Sequence, residues 1–314
     1  MGEAVSRAAP GPEKPFVNPY LAIVIGVAAV SFSAIFTKLA EAPPLVIAFY
    51  RLAFTVLLIM PFALDRAGHR ELKQISGRDL ALAALAGLLL AAHFAVWISS
   101  LNYTTVASST ILVTMQPLFV VTGAYLFLKE GLTARALAGA GLALTGSVLI
   151  GVNDFQVGGT ALYGDLLAFS GAFFVAGYVL IGRSLRARLP IATYTFVVFG
   201  TAAAALLSAN LATGTPLYPY PGQTWAWFLA LALIPTILGH MVLNWSLRYV
   251  KAAVVSVSIL GEPVGATILA YFIFAEVPGA LQLAGGAVII TGLCVFSTSV
   301  AGPGRHVPEE ARRT

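Results

Sequence analysis

Ten apolar runs, each about long enough to cross a bilayer and separated by short polar breaks, constrain this chain more than any other feature of its sequence. They lie near residues 20–38, 44–63, 79–99, 104–128, 134–151, 161–182, 191–211, 224–247, 252–275 and 279–299. Apolar residues make up 59% of the chain and charged residues 10%, with a mean hydropathy of +0.89. A soluble domain carries about 45–50% and about 25% respectively, so this surplus of apolar surface has to face lipid. The breaks have physical causes: Pro43-Pro44, Pro190 and Pro278-Gly279 cannot continue a helix, and the 212–224 segment is rich in Pro, Gly and Thr. Trp225 and Trp227 at its end suit an interfacial aromatic anchor.

The net charge of +5 reports topology, and no nucleic-acid partner is expected from it. With the N-terminus in the cytoplasm, the inner segments hold Arg7, Lys14, Arg66, Arg70, Lys73, Arg78, Lys129, Arg135, Arg183, Arg186, Arg188, Arg248, Lys251, Arg305, Arg312 and Arg313. The outer segments hold only Lys38, and Arg51 falls inside a span. That asymmetry predicts ten helices with both termini cytoplasmic. Residues 1–18 carry Glu3, Arg7, Glu13, Lys14 and three prolines without an apolar core, which is not the pattern of a cleavable signal peptide. The single cysteine, Cys294, lies in an apolar run and implies no disulfide framework. High Ala and Gly content without targeting signals fits a bacterial inner membrane. The expected organisation is a cytoplasmic tail over 1–19, five helices over 20–152, five more over 161–299, and a second cytoplasmic tail over 300–314.

A shift of 146 residues lays the second half of the chain on the first. Ser100-Leu101 and Tyr103 meet Ser246-Leu247 and Tyr249; Pro44 meets Pro190, and Pro117 meets Pro263. Ala124-Tyr125 meets Ala270-Tyr271, Glu130 meets Glu276, Gly139 meets Gly285, and Thr145-Gly146 meets Thr291-Gly292. Each half has an odd number of spans, so the halves are expected to be inverted in the membrane. Secondary transporters use such repeats, with the substrate site near midplane where the halves meet.

The sequence resembles the EamA-type branch of the drug/metabolite transporter superfamily across residues 20–299. The resemblance rests on Ala48-Phe49-Tyr50-Arg51-Leu52, Pro117, Glu262-Pro263, and two span-ending glutamates before Gly-rich helices. In those helices Glu130 precedes Gly139-Ala140-Gly141, and Glu276 precedes Gly285-Gly286. The family resemblance implies an all-α exporter of amino acids or related metabolites, working by alternating access around a central cavity.

Ionisable groups inside the hydrocarbon layer cost about 2.5–3.5 kcal/mol each and usually face a cavity or a partner. Four stand out: Arg51, His93, His240 and Glu262. Glu262 is either a proton- or cation-carrying carboxylate or a fixed partner of Arg51, and its repeat equivalent is Gln116. Pro117 and Pro263 follow directly and free a backbone carbonyl one turn earlier, which makes them candidate hinges. His93 and Trp97 share a helix face, as do His240 and Asn244, so both halves offer a histidine at similar depth. Tyr50 and Tyr103 complete the expected cavity lining, in which aromatic faces would stack on a ring or hold a cation. Ser and Thr in the fourth and ninth spans ordinarily bond to their own helix. Gly139 and Gly285 are expected to allow close packing, and Glu130 and Glu276 to cap neighbouring helix N-termini.

Other function classes have less to stand on. No P-loop, Gly-x-Ser-x-Gly stretch, aspartate pair or paired cysteines occur, so neither ATP use nor cofactor-dependent chemistry is expected. An intramembrane metal-dependent enzyme would have to use His93, His240 and Glu262. The aromatic and acidic lining leaves a lipophilic-cation exporter as the alternative to metabolite export. The partners expected are a small-molecule substrate, the lipid bilayer and, through Glu262, protons.

Overall fold

A computed structural model describes residues 15–104, 106–151, 159–275 and 277–300. Glu276, residues 152–158 and most of both expected tails, with their basic residues, lie outside the described residues. The described residues form helices and their connections, with no strand among them. We number the long apolar helices α1 (Pro19–Leu39), α2 (Pro44–Ala63), α3 (Gly77–Ser100), α4 (Ser108–Leu128) and α5 (Ala134–Gly151). The second set is α6 (Gly159–Arg186), α7 (Ile191–Ala212), α8 (Gly222–Ser246), α9 (Ala252–Phe274) and α10 (Ala280–Val300). Among the described residues, nine helices are long and apolar enough to cross a membrane, while α5 is apolar over the shorter stretch Ala134–Leu149. A polar helix, Arg66–Gln74, joins α2 to α3, and the Asp65 carboxylate caps it by accepting the Gly68 N–H at 2.7 Å.

The distribution of polarity is the reverse of a water-soluble bundle. Leu57, Phe62, Leu88, Phe127 and Phe272 are exposed, whereas Arg51, Thr55, Ser100, Ser109, Thr193 and Asn210 are fully buried. In lipid the polar groups must find partners inside the protein. Asn210 does so by donating to the Leu45 carbonyl on α2 at 2.9 Å, and the Thr55 hydroxyl donates to the Arg51 carbonyl one turn back at 2.8 Å.

Small residues set the closest approach. Helices α5 and α10 pack through Gly139 and Gly292: a Cβ on Gly139 would lie 2.6 Å from the Phe296 nitrogen, and one on Gly292 only 2.4 Å from the Ala143 nitrogen. Those distances leave no room for a side chain, so the glycines let the two backbones meet.

The packing repeats when the two sets of helices are exchanged. Helix α3 packs on α6, and α8 packs on α1; α3 packs on α7, and α8 on α2; α4 packs on α6, and α9 on α1. The pairs α2–α7, α4–α9 and α5–α10 map onto themselves. Backbone detail follows the same spacing. Helices α4 and α9 end on Lys129 (φ 57°) and Ala275 (φ 54°), both left-handed and 146 positions apart in the sequence.

Candidate functional site

Helices α4 and α9 are both interrupted halfway. The ladder of α4 breaks into a turn at Thr114–Met115 and resumes at Gln116, just before Pro117. In α9 it tightens to a 3₁₀ turn over Ile259–Gly261 and resumes at Glu262, just before Pro263. Proline has no N–H to give the carbonyl four residues earlier, so each break sits where the sequence removes a hydrogen bond. Beside the second break, the Ser31 hydroxyl of α1 lies 3.4 Å from the Glu262 carbonyl.

A cavity of about 50 Å³ opens at the level of these breaks. Its wall is built from α1, α3, α4, α6, α8 and α9, and it includes His93, Trp97, Gln116, His240, Asn244 and Glu262. By volume it holds a few water molecules. The His93 and Trp97 rings lie parallel at 6.1 Å. His93 Nδ1 is 2.9 Å from the Gly171 carbonyl of α6. A carbonyl only accepts, so Nδ1 carries a proton, and in the neutral tautomer this leaves the lone pair on Nε2. Phe94 stands between the two histidines, tilted against His93 at 5.0 Å and edge-on to His240 at 5.5 Å.

Arg51 is fully buried behind this wall. Its Nε donates to Thr236 Oγ1 at 2.7 Å and its Nη1 to Ser33 Oγ at 2.8 Å. The guanidinium lies 4.3 Å from the centre of the Phe94 ring, a cation–π contact that offsets part of the cost of burial. Nη2 has no hydrogen-bond partner. The carboxylate of Glu262 lines the cavity and forms no ion pair with Arg51 within 4.0 Å. The acid on the wall and the guanidinium behind it thus do not neutralise each other by direct contact. Trp97 Nε1 and Gln116 Oε1 are also buried without a protein partner. On the same wall Asn244 Nδ2 donates to the Tyr178 hydroxyl.

The remaining sequence candidates lie elsewhere. Tyr50 stacks on Phe228 at 5.0 Å and donates to the Leu217 carbonyl at 2.9 Å, which ties α2 to the 212–221 segment and α8. Tyr103 is 44% exposed and sits edge-on to Tyr163 at the ends of α3 and α6. Pro117 and Pro263 shape the breaks without forming the wall. Among the described residues no group of three or more His, Cys, Asp or Glu side chains could hold a metal ion.

Several members of the site escaped sequence reading. Ser33, Phe94, Tyr178 and Thr236 have no spacing that marks them, although a buried arginine demands hydroxyl or carbonyl acceptors from neighbouring helices. Glu130 does cap a helix, accepting the Ala252 N–H at the start of α9 at 3.0 Å. It also pairs with Arg183 at 2.7 Å, a partner that charge counting alone assigns only to a loop.

The model of the EamA-like transporter family matches residues 18–152 and again 162–298. The pseudopaline exporter CntI of Pseudomonas aeruginosa is 26% identical over 84% of this chain and 89% of its own. A probable terminal-alkyne amino-acid exporter of Streptantibioticus cattleyicolor is 27% identical over 79% and 83%. An uncharacterised transporter of Archaeoglobus fulgidus is 26% identical over 87% and 94%. A crystal structure with a TM-score of 0.76 and 19% identity covers 90% of this chain and 97% of its own, which indicates the same fold.

Proposed function

Because the chain belongs to the EamA-like transporter family, we propose that it is a secondary exporter of amino acids or related small metabolites, with the Glu262 cavity as its transport site. The chain is a multi-pass membrane protein of a transporter family. We place it in a bacterial inner membrane, as ten helices with both termini cytoplasmic. In it, α1–α5 and α6–α10 are inverted repeats. Contacts that recur on exchange of the two halves support that symmetry, and so do the equivalent breaks at Gln116-Pro117 and Glu262-Pro263.

The observation that carries the proposal is the cavity between the halves, lined by an acid and backed by an unpaired base. Opposite charges held apart in a low-dielectric site match a ligand that brings both of its own. In this reading a substrate carboxylate meets Arg51, and Glu262 takes either the ammonium group or the coupling proton. A cavity of about 50 Å³ is far below the roughly 300–1,000 Å³ of ligand pockets. Loading it requires the halves to move apart, with the breaks at Pro117 and Pro263 as hinges. The named exporters among the relatives support export as the direction. Arg51 disfavours the alternative, a lipophilic-cation exporter, since a buried guanidinium repels such a substrate. Membership of a transporter family likewise favours transport over an intramembrane enzyme.

Expression in a bacterium sensitised to toxic amino-acid analogues and to lipophilic cations separates the two exports. Resistance to the analogues, lost in Glu262→Gln, is expected. Resistance confined to the cations would replace this reading with the alternative.

A further inference from the structure

The two ends of the helix bundle are not in the same state. On one side a crevice of about 470 Å³ lies among the end of α1, the start of α2 and the end of α3, lined in part by Thr37, Ile98, Leu101 and Asn102. Lys38, Glu41 and Asn102 are exposed at its rim, and the hydroxyl of Thr37 is buried without a hydrogen-bond partner. The crevice is one helical turn from the central cavity along two helices. Ser33 and Trp97 line the cavity, and Thr37 and Leu101, four residues on, line the crevice.

The 146-residue repeat assigns each crevice residue a counterpart at the other end. Thr37, Ile98, Leu101 and Asn102 correspond to Arg183, Asn244, Leu247 and Arg248. There Arg183 stands in the place of Thr37, while Asn244 and Leu247 line the central cavity itself. Arg183 donates through Nη1 to the Leu247 carbonyl at 2.6 Å and reaches the Arg248 carbonyl at 3.4 Å. Its Nε donates to Glu130 at 2.7 Å, and the other oxygen of that carboxylate accepts the Ala252 N–H at 3.0 Å. One ion pair therefore joins the ends of α4, α6 and α8 to the start of α9. A solvent-exposed pair contributes little, but this one is partly buried and each partner also bonds a backbone group, where charge-assisted bonds are stronger.

We propose that the crevice at Thr37 is the port through which substrate leaves the cavity, and that Arg183 with Glu130 is the latch that shuts the equivalent port on the cytoplasmic side. Size and lining fit a small polar metabolite: the volume falls within the roughly 300–1,000 Å³ of ligand sites. The unpartnered Thr37 hydroxyl and the Asn102 amide offer hydrogen bonds along the way. Opening inward then requires the latch to part, and opening outward does not. This inference rests on the inverted-repeat reading above.

Cysteine labelling tests it without any substrate. In a Cys294→Ser background, Val113→Cys places a thiol on the cavity wall, and Val255→Cys provides a second reporter on the opposite half. Vesicles of both orientations are treated with a membrane-impermeant thiol reagent. Each reporter should react faster from the outside, and Arg183→Gln or Glu130→Gln should raise the inside rate about tenfold, the shift that losing roughly 1.4 kcal/mol of closure gives. Asn102→Trp, which fills the crevice, should slow outside labelling alone. Unchanged inside rates in both latch variants, or unchanged outside rates in Asn102→Trp, would overturn the proposal. A protein that passes these tests yet exports no amino acid would leave the latch standing and remove only the substrate assignment.

Discussion

Arg51 and Glu262 are both buried at the centre of the bundle, yet no ion pair joins them. Arg51 spends two of its donors on hydroxyls, Thr236 on α8 and Ser33 on α1, and rests on the Phe94 ring. Glu262 begins the second half of the broken helix α9 and lines the cavity. Ionisable groups buried without a mutual contact are costly, and inside a membrane such groups usually face a cavity or a partner.

If Glu262 carries the coupling proton, Glu262→Gln removes the response to a pH gradient while substrate exchange at equal pH persists. Proteoliposomes with and without an imposed gradient measure both. An unaltered gradient response in the variant would assign coupling to another group.

Arg51→Lys keeps the charge but loses the fork that reaches Thr236 and Ser33 together. One lost hydrogen bond to a charged group costs about 1.5–3 kcal/mol, so transport should fall at least about tenfold while the protein still purifies as a folded species. Wild-type rates in this variant would show that the fork is dispensable.

His93 and Trp97 face the cavity as a parallel pair. His93→Ala and Trp97→Ala should each weaken substrate binding by about 1–3 kcal/mol, in the range for loss of an aromatic or hydrogen-bonding contact, with expression unchanged. Binding measured by the protection that substrate gives against thermal unfolding separates this outcome from a failure to insert.

Gly292→Ala should lower stability by about 1–3 kcal/mol, because the added methyl would meet the α5 backbone 2.4 Å away. Gly141→Ala is the control: nothing lies within 4 Å of its Cβ, and the change should be neutral. Comparable Tm losses in both would mean that α5 and α10 do not pack through Gly292.

The legible part of this molecule was its periodicity. Runs of apolar residues, their prolines and the constant shift between Pro117 and Pro263 locate the helices and the breaks, because hydrogen-bond loss at proline is local. Glu262, His93, His240, Asn244, Gln116 and Trp97 were readable as candidates, because polar groups in apolar runs are costly wherever they point. The rotation of each helix about its axis was not readable. It decides that Tyr50 binds Leu217 and packs among aromatic rings, that Tyr103 is exposed, and that Thr236 rather than another hydroxyl serves Arg51. Helix rotation depends on packing between distant segments, and no single span encodes it.

Orientation is tested by single cysteines in the connecting segments. Residues placed in 64–78 and 183–190 should react only from the cytoplasmic side and those in 212–224 only from the other. Reversal at any of these segments would break both the span count and the inverted-repeat assignment.

The most direct test of the central claim is export itself, measured as uptake of a labelled amino-acid panel into proteoliposomes of mixed orientation. We expect saturable uptake of one chemically related group, accelerated by a pH gradient and abolished as a gradient-driven process by Glu262→Gln. Well-folded protein that moves no amino acid, or that moves lipophilic cations instead, would contradict the account.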